Sequence, residues 1–245
     1  MDYRSYRFSK KEILIYGIQG IFFCIGISYL FYDSYIMAIV LLPFIYIFLK
    51  MKRITLAKEK REKLNKQFKD GILSISASLE AGYSMENAVQ QALEELKKIY
   101  ENKAPIIREF SRMRMQLNLN VPIEELFIDL ANRSGVEDIE TFAEVFTIAK
   151  RTGGNLIKII QNTAQVLTEK IETQEDIEVA ISGKQMEQKI MSIVPFGIII
   201  YIRLTSPDFL SSLYGHLLGV VVMSVCLLVY GLAYWLGKNV VEIEV

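Results

Sequence analysis

The amino-acid sequence predicts an all-α membrane protein: N-terminal and C-terminal transmembrane helical hairpins flanking one cytoplasmic helical bundle. Three observations predict it. A mean hydropathy of +0.26 in a chain that is 23% charged requires charged and apolar residues to be segregated along the sequence. Long charge-free runs lie towards both ends. Between them, apolar residues recur at helical spacing, and no stretch alternates as a half-buried strand would. The balance of 28 Lys+Arg against 28 Asp+Glu argues against nucleic acid as a partner, which usually demands a positive surplus. Two cysteines and one histidine exclude a disulfide framework or a Cys-based zinc site and leave little for triad chemistry.

Residues 1–12 form a short basic leader with Arg4, Arg7, Lys10 and Lys11, expected on the cytoplasmic side. The first hairpin occupies 13–49. Ile13–Tyr32 is a charge-free run of 20 residues, and Tyr35–Leu49 is a shorter one. About 20 helical residues cross the ~30 Å hydrocarbon core. No small-x-small cleavage site follows the first run and a second comes at once, so a retained anchor is expected in place of a cleaved signal peptide. The second hairpin occupies 190–237. Ile190–Ile202 is only 13 residues long, extended if Arg203 snorkels outward; its alternative is a buried or interfacial helix. Phe209–Gly237 has no formal charge. Residues 238–245 are the closing tail.

Lys/Arg placement sets the orientation. Nine Lys/Arg stand in residues 50–69 against Glu59 and Glu62, while the two short connections hold only Arg203 beside Asp33 and Asp208. The positive-inside rule then puts both termini and residues 50–189 in the cytoplasm. The basic stretch suits anionic lipid headgroups, and residues 70–189 carry a net charge of −7. Cys24 and Cys226 read as packing residues within spans, and His216 as an interfacial one.

Within 50–189, Phe68, Ile72, Ile75 and Leu79 share one helical face that should end at Gly82. Ser84 is the expected N-cap of a helix burying Met85, Ala88, Val89, Ala92, Leu93, Leu96 and Tyr100. Pro105 starts a helix with Ile106, Ile107, Phe110, Met113 and Leu117. Pro122 takes the first position of another, with Ile123, Leu126, Phe127 and Leu130, running out near Ser134–Gly135. A helix with Ile139, Phe142, Phe146 and Ala149 ends at Gly153–Gly154, and Asn155 caps the next. That one carries Leu156, Ile159, Ile160, Thr163, Val166 and Leu167 and continues unbroken into the third apolar run.

No catalytic constellation emerges. Arg151-Thr-Gly-Gly-Asn-Leu-Ile-Lys158 lacks phosphate-loop spacing and reads as a helix break with a cap, and there is no G-x-G-x-x-G. Carboxylate pairs such as Glu94/Glu95, Glu124/Glu125 and Glu137/Asp138 read as solvated surface. Gly215-His-Leu-Leu-Gly219 is a small-xxx-small pattern suited to close helix approach. Neither enzyme activity, nor cofactor, nor metal is expected. No charged pair is expected deep in a span, which weighs against a coupled transporter.

The stretch Leu79-Glu-Ala-Gly-Tyr-Ser-Met-Glu-Asn-Ala-Val-Gln-Gln-Ala92, the segment Val121-Pro-Ile-Glu-Glu-Leu126, and Phe142 with the run Lys150-Arg-Thr-Gly-Gly-Asn-Leu156 together resemble the motifs of the type II secretion F-domain family. Val194-Pro195, Ser206-Pro-Asp-Phe-Leu210 and the closing Val240-Val-Glu-Ile-Glu-Val245 are similar to its tight-adherence (TadB-like) branch, with a TadC-like sibling as the near alternative. The resemblance covers nearly the whole chain. It implies a platform protein of the inner or cytoplasmic membrane in a Flp-type (type IVb) pilus or secretion machine. Implied partners are a hexameric TadA-like secretion ATPase, a second F-domain protein and pilin, with a homo- or hetero-oligomeric platform. Gly82, Ser84, Pro122, Gly153, Gly154, Asn155, Leu156 and Pro195 then serve turns, caps and packing. Topology suggests ATPase contact at membrane-distal loops near Lys103–Arg114 and Ala131–Asp138, through Arg108, Arg112, Arg114 and Arg133. Two rival readings are a membrane-anchored signalling scaffold and a small transporter subunit.

Overall fold

The computed structural model describes all residues except 1, 2, 5, 7, 9, 35, 153, 154, 207–213, 215 and 242–245. The described residues form eight helices and no strand: α1 Lys10–Tyr32, α2 Ile36–Glu80, α3 Met85–Ile99, α4 Pro105–Leu117, α5 Ile123–Ser134, α6 Glu137–Thr152, α7 Leu156–Thr205 and α8 Leu217–Val241. They belong to two compact units, Met1–Arg7 with Arg53–Thr173, and Phe8–Lys52 with Gln174–Val245.

The first unit is a six-segment up-and-down bundle made from the end of α2, α3 to α6, and the start of α7. Ion pairs report the alternation, because each joins residues mirrored about a turn. They are Arg114–Glu94 at 3.8 Å, Arg133–Glu109 at 2.7 Å, Lys150–Glu124 at 2.5 Å and Lys170–Asp138 at 2.6 Å. Leu64, Phe68, Ile72 and Ile75 of α2 are buried against Val89, Leu93 and Leu96 of α3, Phe110 of α4, Phe127 and Leu130 of α5, and Phe142 and Phe146 of α6. Phe142 is the hub. Its ring centroid lies 5.4 Å from Phe68 and 4.9 Å from Phe127, both edge-on, the arrangement aromatic quadrupoles favour. Gly71 makes room for Phe110, since a Cβ there would stand 2.6 Å from the ring.

The predicted faces of α3 to α6 are the buried ones. Ser84 Oγ accepts from the Asn87 N–H at 3.4 Å, Asn155 Oδ1 from the Lys158 N–H at 3.1 Å, and Gly82 has φ +87°. Gly153 and Gly154, the Pro207–Leu210 part of the expected connection, Gly215 and most of the closing motif lie outside the described residues.

Three details differ from the sequence expectation. Pro122 is the N-cap of α5, so the helix starts at Ile123. Val166 is 61% exposed, because α7 buries Ile160, Ala164, Leu167 and Ile171, a line one residue away. The N-terminal segment, expected to be a simple basic leader, contributes Tyr3 to the bundle core. Burial along α7 stops at Ile171, and Gln174–Lys189 fall in the second compact unit.

In the second unit, Gly20 of α1 lies against Ile45 of α2, and Phe196 of α7 stacks edge-on with Phe31 and Tyr230. Tyr32 Oη and Ser224 Oγ are hydrogen-bonded at 2.8 Å, and Tyr230 Oη donates to the Ser192 carbonyl at 2.7 Å. Arg203, expected to snorkel outward, pairs with Asp33 and covers the Tyr29 ring at 3.9 Å. Cys24 and Cys226 are free thiols. α7 is one helix of 50 residues that runs on into the third apolar stretch, as expected, and Pro195 lies inside it.

α1, α7 and α8 are each long and apolar enough to cross a membrane. The apolar end of α7 is exposed, which sets aside a buried core helix for Ile190–Ile202. Four spans were expected. The first part of α2 does not meet the same standard, because only 14 uncharged helical residues precede Lys50.

Candidate functional site

The bundle has two ends with different chemistry. At the entry end, where α2 comes in and α7 leaves, polar groups interlock. Glu109, 3% exposed, accepts from Tyr3 Oη at 2.8 Å and from Arg133 Nη2 at 2.7 Å. Arg133 Nε also donates to Asp129 at 2.8 Å, and Arg112 reaches Asp129 at 3.6 Å. Asp138 receives Asn65 Nδ2 at 2.6 Å and Lys170 Nζ at 2.6 Å. The Tyr100 hydroxyl donates to Asp70, and Gln67 Oε1 accepts the Ile106 N–H at 3.3 Å at the start of α4. A buried carboxylate is tolerable only when paired and hydrogen-bonded in this way.

Burial, with the Glu109 carboxylate alongside, pushes the Tyr3 hydroxyl well above its usual range. Burial and the bond to Asp70 do the same for Tyr100. Burial opposes the charge of Arg133, but its bonds to Glu109 and Asp129 outweigh that and hold the guanidinium more firmly protonated.

The opposite end of the bundle is built from the connections Ala81–Ser84 and Asn118–Pro122, with the last residue of α6, Thr152, and the cap of α7, Asn155. Gly82 at φ +87° and Asn120 at φ +59° make the sharp reversals, and Tyr83 and Leu119 stand 51% and 75% exposed. Glu124 of α5 and Lys150 of α6 pair across this end, and Gln161 of α7 donates to Glu80 of α2. Burial disfavours the Glu124 charge, yet the Lys150 ammonium holds its carboxyl below the usual range. Each of the three family-resembling segments reaches this end. The sequence, read segment by segment, showed no reason for them to meet.

The loops suggested from the sequence for partner contact share one end of the bundle. Ala131–Asp138 and the start of α4 lie at the entry end, because Arg133 bonds Glu109 and Asp138 bonds Asn65 and Lys170. Arg133 is turned into the bundle, with its side chain 19% exposed. Arg112 and Arg114 are half-buried in pairs with Asp129 and Glu94, and Arg108 is exposed. The loops farthest from the entry end are Ala81–Ser84 and Asn118–Pro122.

Among the described residues, no three His, Cys, Asp or Glu side chains gather as a metal site. An open groove lies between α2 and α7, lined by Leu73, Ser76, Glu80, Gln161, Gln165 and Glu169.

No curated protein and no solved structure matches the chain. Residues 59–202 match the family described as type II secretion system (T2SS), protein F. The match takes in α3 to α6 whole, most of the bundle portion of α2 and nearly all of α7, so it covers most of the six-segment bundle and continues past it along α7. The chain belongs to the type II secretion system protein F family.

Proposed function

We propose that this chain is a TadB-like platform protein of a Flp-type (type IVb, tight-adherence) pilus or secretion machine in the inner or cytoplasmic membrane. It couples a cytoplasmic hexameric secretion ATPase to pilin extraction and fibre assembly, beside a second F-domain protein. The observation that carries this reading is the family domain at 59–202, joined in one chain to helices apolar enough to span a membrane. Family membership supports the coarser role, a membrane platform component of type II secretion and type IV pilus machines. The tight-adherence motifs at Val194-Pro195 and Ser206–Leu210 support the finer one.

Two further observations fit the role. Tyr3 is buried in the bundle core, so the N-terminal segment and the bundle share one side of any membrane. The nine Lys/Arg of residues 50–69 favour the cytoplasmic side for both. In this reading α1, the apolar part of α2, the end of α7 and α8 make two membrane hairpins. The ATPase meets the end of the bundle formed by Ala81–Ser84 and Asn118–Pro122. That end is opposite the one from which the chain continues to its apolar helices.

The test is co-purification of the full-length protein in mild detergent from cells that make the fibre. Recovery of a hexameric ATPase and a second F-domain protein, lost on Tyr83→Asp with Leu119→Asp, is the expected result. Fibres that persist after deletion of the whole chain would overturn the platform reading.

A further inference from the structure

The N-terminal segment makes contacts that a mere basic leader would not make. Tyr3 is 1% exposed within the aromatic and aliphatic core of the bundle. Its hydroxyl donates to buried Glu109 at 2.8 Å, and its backbone N–H donates to the Arg133 carbonyl at 3.0 Å. That carbonyl is in the last turn of α5, where the helix has no partner of its own to offer. Lys60 of α2 lies over the Tyr3 ring, with Nζ 4.8 Å from its centroid. Arg4 runs across Gly135, the left-handed residue after α5; a Cβ there would stand 2.9 Å from Arg4 Cγ. Arg53 Nε donates to the Tyr6 carbonyl at 2.6 Å. The strap thus touches α2, α4, α5 and the α5–α6 turn, and four residues after Tyr6 the first apolar helix begins at Lys10.

We propose that Tyr3, Arg4 and Tyr6 form a latch that holds the N-terminal segment on the Glu109–Arg133 cluster, so that the chain leading into α1 is tied to the bundle at its own N-terminal side besides the connection through α2. This rests on the platform reading, in which movement of the bundle must reach the membrane helices. Tyr3 is the anchor, because its ring fills core space and its hydroxyl completes the Glu109 carboxylate. Gly135 is the seat, since its missing Cβ leaves the channel for the Arg4 stem. Without the latch, the bundle keeps its other core contacts, but force applied at α4 and α5 reaches α1 only through α2.

Two measurements on the full-length protein test it. Limited trypsin digestion in detergent reads the docking itself, through cleavage at Arg4 and Arg7. Wild type should resist, and Tyr3→Ala should be cut at least about tenfold faster, because cleavage follows the population of the open segment. Tyr3→Phe, which keeps the ring and loses the hydroxyl, should fall between. Wild type cut as fast as Tyr3→Ala overturns the latch. The second measurement is fibre assembly by Tyr3→Ala against Leu93→Ala, a buried α3 residue away from the strap, the two compared at equal loss of melting temperature. Loss of fibres in Tyr3→Ala alone supports coupling; equal loss, or fibres retained with the strap released, reduces Tyr3 to a packing residue and overturns it. Fibres persisting in the full deletion would sink the platform reading and the coupling role with it, whereas the digestion result stands by itself.

Discussion

The two units of this chain use the same apolar side chains for different ends. In the bundle, aromatic rings meet one another: Phe68, Phe127, Phe142 and Phe146 are all at or below 1% exposure. In the second unit, Phe22, Phe23 and Phe44 are 79%, 61% and 62% exposed, and so are most of the isoleucines and leucines around them. α7 passes through both regimes. Its buried residues stop at Ile171, and from there to Thr205 none is buried. Apolar side chains in water must be covered by the protein, whereas those destined for lipid need no protein cover. The second unit buries few apolar residues, Cys24, Phe31 and Met223 among them, and small polar ties join its helices: Arg203 to Asp33, Tyr32 to Ser224, and Tyr230 to the Ser192 carbonyl.

Truncating one aromatic in each unit separates the two regimes. Phe142→Ala should cost about 3–5 kcal/mol, because it leaves a cavity at the meeting point of α2, α5 and α6. Phe196→Ala removes a ring stacked on Phe31 and Tyr230, but lipid chains fill the space, so about 1 kcal/mol is expected. Hydrogen exchange of the full-length protein in lipid nanodiscs checks this. Peptides of α3 to α6 should lose protection in the first variant, with little change anywhere in the second. Equal effects would mean that the second unit has a packed core of its own.

Glycines sharpen the contrast, since one substitution should act in opposite directions. Gly71 and Gly183 both lie inside long helices. A methyl group at Gly71 would meet the Phe110 ring at 2.6 Å, while nothing lies within 4 Å at Gly183. Gly71→Ala should therefore destabilise the bundle by about 1–3 kcal/mol through overpacking. Gly183→Ala should firm up α7 by up to about 1 kcal/mol, the helix-propensity gain of alanine over glycine. Thermal melting followed by circular dichroism would show the two signs. A Gly183→Ala loss would mean that another surface packs there.

How much of this was legible depended on distance along the chain. The caps at Ser84 and Asn155, the reversal at Gly82 and the faces of α3 to α6 are local events, and their residues announce them by spacing alone. Val166 misled because Ile160 and Leu167 allow two neighbouring faces, and only the packing of α2 and α6 chooses between them. Charge divided the chain at Lys50, but the backbone does not respond to charge there, and α2 runs on through that point as one helix. Tyr3 was not legible. A single tyrosine in an aperiodic basic leader carries no sign that it will fill a pocket built 106 residues later. The pairing of Arg203 with Asp33 is hidden in the same way. The loops first suggested for a partner share one end for a topological reason that no single segment shows: alternating helices bring every second loop to the same end, and the α3–α4 and α5–α6 turns belong to the entry end.

The smallest expected effect probes how surface charge differs between the units. Glu124 and Lys150 join α5 to α6, with side chains 26% and 41% exposed, whereas Lys184 and Glu187 sit within α7 at 75% and 58%. The folded state holds the Glu124 carboxyl below its ordinary value of 4.5. A depressed carboxyl contributes stability that is complete above the unfolded value and is lost as pH falls through the folded one. The bundle should thus lose stability on acidification below about pH 4.5, and Glu124→Gln should flatten part of that slope. Partial exposure keeps the contribution at or below about 1 kcal/mol. Glu187→Gln joins no two helices and should leave bundle melting unchanged at every pH. Parallel slopes for wild type and Glu124→Gln would mean that the cross-helix pair holds no more than a solvated one does, and that the outer loops are kept together by the Gly82 and Asn120 turns and the Gln161–Glu80 bond instead.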